Sequence, residues 1–165
     1  MFKFSFSPRP VLRFEKAGLS FKDILEAKLD NAILVTLSAC DSGAVDKSLA
    51  WDELEGLPHV FLQAGAASVV SSIWSVNDRS TSILMQRFYT NLIIDEKPPA
   101  QALREAQLWL RDADRQSLCR FLENSVTAGV ANAFETYSQL MLSGDANDRP
   151  YSHPVYWAPF FVTGG

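Results

Sequence analysis

Two short uncharged runs, dominated by apolar and β-branched residues, constrain this chain more than anything else in it. Ala32 to Leu37 and Ala67 to Trp74 each have the length of a strand, and neither shows the clean apolar-polar alternation of a strand with one wet face. Strands of that character are buried on both sides, as they are where helices cover a parallel sheet. Between them, Trp51 to Gln63 repeats Leu54, Leu57, Phe61 and Leu62 at helical spacing. Pro58 demands a bend or a split in that helix, and Gly65 ends it. The pattern predicts a strand-helix-strand unit with its helix laid over one face of the sheet.

The flanking segments fit the same class. Phe2 to Glu15, with Pro8 and Pro10, suits an edge strand. Ser20 opens a short helix carrying Ile24, Leu25 and Leu29, with Asn31 at its stop. Asn77 or Asp78 caps a longer helix whose apolar positions Ile83, Leu84, Phe88, Leu92 and Ile93 lie on one side. Pro98 and Pro99 open a further helix over Ala100 to Leu110. From Asp112 to Leu142 the pattern stays helical but weaker, with a break at Gly129 and a stop at Gly144. Tyr156 to Thr163 reads as a last strand. Trp51, Trp74, Trp109 and Trp157 occupy apolar positions and read as core anchors. The 165 residues suit one α/β domain, with helices covering a mostly parallel sheet.

Charge and cysteine usage narrow the function. The formal charge is −4 with lysine and arginine scattered, so no basic footprint for nucleic acid exists. No apolar run approaches the roughly 20 residues that cross a bilayer, and Met1 to Ser5 lacks a signal core, so the reading is cytoplasmic with no membrane partner. Two cysteines and two histidines, without paired spacing, predict neither a disulfide framework nor a metal site, and no cofactor motif is present. Asp52, Glu53 and Glu55 complement a helix start.

Cys40 follows the first buried run directly, within Ser38-Ala39-Cys40-Asp41-Ser42-Gly43, where open α/β sheets have their ligand crevice. From periodicity alone it is either a nucleophile or a small buried hydrophobe. The segment Leu34 to Gly43 resembles the nucleophile segment of CHAT domains, relatives of caspases, separases and gingipains. Further likenesses follow in order: Phe61 to Ala66 with Val69 to Asp78, then Phe88-Tyr89, Ala100 to Gln107, and His153 to Phe160. Residues 19–111 and 150–165 carry the resemblance, and 112–149 reads as a helical insertion within a single domain over 1–165.

The resemblance implies a caspase-like three-layer α/β/α sandwich whose N-terminal strands this chain need not contain. It implies that Cys40 is the nucleophile of a Cys-His dyad, with Ser42 and Gly43 shaping an oxyanion turn. It also implies that an acidic residue, Asp78 or Asp41, holds a basic side chain of a peptide substrate. Against the pocket role, Asp78 can cap a helix and Asp41 can form a turn. The family's base is a histidine upstream of the cysteine, and no histidine precedes Cys40 here. His59 reads as a helix-surface or partly buried residue, and His153 as a structural hydrogen-bonding residue at the start of the last strand. Cys119 reads as a buried thiol. Two functions follow: a truncated cysteine peptidase cutting after basic residues, or an inactive caspase-like module binding a peptide or partner protein. A chain without the first strands also leaves a sheet edge for a partner segment to cover.

Overall fold

The computed structural model describes residues 5–6, 21–37, 58–74, 76–127, 133–142 and 144–165. Among these described residues four strands form one sheet in the order β1 (Ser5–Phe6), β2 (Leu34–Leu37), β3 (Ser68–Ser72) and β4 (Phe160–Gly164). Strands β2 and β3 are the two runs that the sequence marks, and they pair in parallel, with Val35 opposite Val69 and Leu37 opposite Ser71. All four residues of β2 are buried, as are the first four of β3. The expectation of a mostly parallel sheet needs correction, because β1 and β4 both run antiparallel to their neighbours. β4 comes back from a group of helices rather than from a single crossover, and such a return is free to reverse direction, so an antiparallel edge strand beside a parallel pair is a common outcome.

Side chains alternate across a strand, and here the alternation feeds two separate cores. Leu34 of β2 and Val70 of β3 point into one cluster, with Phe88, Ala106, Leu110, Leu118 and Phe160. Val35, Leu37 and Val69 point into the other, with Ile24, Leu29, Phe61 and Ala64. Helix α1 (Phe21–Glu26) and helix α2 (58–63) therefore cover one face. Helices α3 (Asp78–Tyr89), α4 (Pro99–Asp112), α5 (Arg115–Thr127) and α6 (Ala133–Met141) build the layer on the other.

Several boundaries differ from expectation for local reasons. The first helix stops at Glu26 rather than near Asn31, and Lys28 takes a positive φ of 46° just beyond it. The long helix ends as α3 at Tyr89 and passes into a π turn over Thr90–Ile94. Buried Asn91 lies in that turn and donates from Nδ2 to the carbonyl of Ala102 on α4 at 3.0 Å, a tie that favours an extra residue in the turn. Pro99 stands at the start of α4, where its missing N–H costs nothing. The last strand starts at Phe160 rather than Tyr156, because Tyr156 ends a 3-10 turn over Pro154–Tyr156 and residues 157–159 turn again before β4. Gln107 of α4 donates to the Phe160 carbonyl at 2.8 Å, fastening α4 to β4. Among the described residues no helix is long and apolar enough to cross a membrane.

Candidate functional site

Because β2 and β3 are parallel, their carboxyl ends, Leu37 and Ser72, open on the same side of the sheet. The chain leaves β3 through Ile73 and Trp74, which are 52% and 37% exposed. Trp74 is therefore not the core anchor that its apolar setting suggests. Its indole N–H points to the carbonyl of Val155 at 3.4 Å, and Ile73 N donates to Pro159 O at 3.0 Å. The segment before β4 thus forms one wall of the opening. Trp109 and Trp157 do pack against the larger core, while Trp51 lies outside the described residues.

Asn77 sits at the start of α3 with φ −74° and ψ 126°, the extended backbone of an N-cap. Its Oδ1 accepts from Arg79 N and Ser80 N, each at 3.2 Å, and its carbonyl accepts from Thr81 N at 2.9 Å. The sequence left Asn77 and Asp78 as equal candidates for the cap, and the carboxamide of Asn77 fills it. Asp78 then occupies the first turn of α3 with an exposed side chain, six residues beyond the end of β3 in the chain. We expect Asn77→Ala to cost about 1 kcal/mol of stability in a thermal melt, and Asp78→Asn to cost less. The opposite order would mean that Asp78 holds the cap.

His59 is exposed on α2, as a helix-surface residue should be. His153 is exposed and caps the 3-10 turn, its Nδ1 accepting from Val155 N at 3.2 Å, which is the structural role its position suggests. Behind the opening, Thr36 of β2 shares a hydrogen bond of 2.8 Å with the Tyr89 hydroxyl. Burial raises the Tyr89 phenol above its ordinary range, and the Thr36 bond opposes that shift. Helical periodicity carries no signal for this pair, and the family likeness at Phe88-Tyr89 says nothing of Thr36. Ser71 Oγ, at the last residue of β3 paired with β2, is buried without a hydrogen-bond partner. Cys40, Asp41, Ser42 and Gly43 lie outside the described residues. Among the described residues no three His, Cys, Asp or Glu side chains converge as metal ligands would.

The family model of the CHAT domain matches residues 4–165. This chain belongs to the CHAT domain family. CHAT domains are caspase-like peptidase relatives, so this chain is a member of a caspase-like peptidase family. The CHAT match spans residues 112–149 as well, where α5 and α6 are helical as expected. No curated protein and no solved structure matches this CHAT domain.

Proposed function

We propose that this CHAT domain holds a cysteine-peptidase site, with Cys40 as nucleophile and Asp78 as the acidic group that receives a basic residue of the peptide. The observation that carries the reading is the capping of α3 by Asn77, which leaves the Asp78 carboxylate exposed and free of the capping duty. In sequence Cys40 is the third residue after Leu37, the last residue of β2. Helices on both faces of the sheet support a caspase-like sandwich.

The chemistry follows from these groups. A Cys40 thiolate attacks the carbonyl carbon of the bond after an arginine, which a carboxylate at Asp78 grips in bidentate fashion, or after a lysine, which it holds as a point charge. Backbone N–H groups around Ser42 and Gly43 receive the developing oxyanion, and Asp41 is a second acidic group beside the nucleophile. The amine leaves with a proton, and water releases the acyl group. The proton carrier is the missing part. The resemblance assigns it to a histidine at the end of the strand preceding β2, whereas the strand before β2 among the described residues, β1, runs antiparallel and consists of Ser5 and Phe6.

That same observation favours a second reading, a module that binds basic peptides or a partner segment without cutting. Chemical rescue separates the two. We expect the purified chain to leave an arginyl anilide intact, and added imidazole, standing in for the absent side chain, to restore release of the aniline in the wild type but not in Cys40→Ala. No rescue, together with retained binding of an arginyl peptide, leaves the binding module.

A further inference from the structure

The sheet face under α1 and α2 changes character along β3. Val69 lies in the apolar cluster of that face and is fully buried. Ile73, whose N–H continues the ladder to Pro159 O at 3.0 Å, falls on the same side by strand alternation and is 52% exposed. Ser71 stands between them. It is only 6% exposed, and its Oγ is buried without a hydrogen-bond partner. It is in register with Leu37, the last residue of β2, on one side and with Phe161 of β4, itself 38% exposed, on the other. The hydroxyl therefore sits where the dry core gives way to the carboxyl ends of the parallel strands, the end at which open α/β sheets bind ligands.

A buried hydroxyl that bonds nothing destabilises the free chain, and few such groups occur without a reason. Strand formation does not demand it, since the two preceding positions are Val69 and Val70. Thr81 carries the other buried hydroxyl without a partner among the described residues, and it lies on α3 rather than at a strand end. The depth of Ser71 also selects what it can bond. A charged group brought beside it would lose its water at high cost, whereas the main-chain amides of a peptide are neutral and lose less.

We propose that Ser71 is a further ligand-binding residue of this site, its hydroxyl hydrogen-bonding to the main chain of the bound peptide. The inference rests on the reading of the opening as a peptide site, and not on the assignment of Asp78.

Fluorescence polarisation with a labelled arginyl tripeptide and its alanyl analogue, beside thermal melts, tests it on wild type, Ser71→Ala and Ser71→Cys. One neutral hydrogen bond corresponds to roughly a 2- to 10-fold change in affinity. We expect both variants to bind both peptides more weakly by such a factor, with the ratio between the peptides unchanged, because the main chain is common to the two. Ser71→Cys keeps the side-chain volume, so a loss there is not that of a cavity. Ser71→Ala should melt no lower than wild type, because it removes a hydroxyl that bonds nothing in the free chain. Unchanged affinity in both variants overturns the proposal. A lower melting midpoint in Ser71→Ala overturns it as well, since the hydroxyl would then serve the chain itself. So does a loss confined to the arginyl peptide, which would place Ser71 on the basic side chain. A wild type that binds the two peptides equally refutes the reading of Asp78 and leaves the Ser71 comparison decisive; one that binds neither refutes the peptide site, and this inference with it.

Discussion

Phe88→Ala should lower the stability of this domain by about 3–5 kcal/mol, the cost of truncating a large ring where nothing can collapse into the space. Phe88 is fully buried in the last turn of α3, in the cluster that joins β2 and β3 to α4 and α5. Its ring lies 5.0 Å from that of Tyr89, tilted by 50°, so the truncation also removes a partner from the residue bonded to Thr36. In a domain of this size each kcal/mol moves the melting midpoint by about 2–4 °C, so the shift should be on the order of 10 °C. A shift of only a degree or two would show that the larger cluster is not the core that holds the layers together.

Gly65→Ala should be costly through backbone rather than through lost volume. Gly65 closes α2 in a Schellman turn, with Ala66 N donating to Phe61 O at 3.1 Å and Gly65 N to Leu62 O at 3.0 Å. Its φ is +105°, a conformation that side chains rarely adopt. The turn also presses on the connection from α1 to β2: an added Cβ would fall 2.7 Å from Asp30 N and 2.9 Å from Asp30 Cα. These atoms are main chain and cannot swing away. Strained backbone costs of order 1–3 kcal/mol on its own, and the displaced connection adds to it, so a loss of about 3 kcal/mol is expected in denaturant titration. A loss below about 1 kcal/mol would mean that α2 and the α1–β2 connection separate freely.

What the sequence made legible follows a physical pattern. Features set by a few neighbouring residues could be read directly: the uncharged runs of β2 and β3, the Asn77–Asp78 cap region, Pro99 at a helix start, Gly65 at a helix end. Features set by distant partners could not. The π turn depends on Asn91 reaching Ala102, and no local periodicity carries that. The direction of β4 depends on where α4, α5 and α6 deliver the chain. Trp74 is exposed because its polar edge meets Val155, 81 residues away. For the site, strand geometry marks the end of β2 as a place for chemistry, but only the family resemblance singles out Cys40, and only the structure separates the cap at Asn77 from the exposed carboxylate at Asp78.

The most direct test of the central claim, that Cys40 and Asp78 belong to one site, is the rate at which Cys40 is labelled by an arginyl chloromethyl ketone relative to its alanyl analogue. It is run near pH 8.5, where an ordinary thiol is about half ionised and no histidine is needed to form the thiolate. Cys119 is a suitable bystander, since it is buried and desolvation raises its thiol further. We predict that the arginyl reagent labels Cys40 about tenfold faster, the worth of a hydrogen bond to a charged group, and that Asp78→Asn removes the difference. Equal rates for the two reagents in the wild type, or a preference that survives Asp78→Asn, would contradict the account.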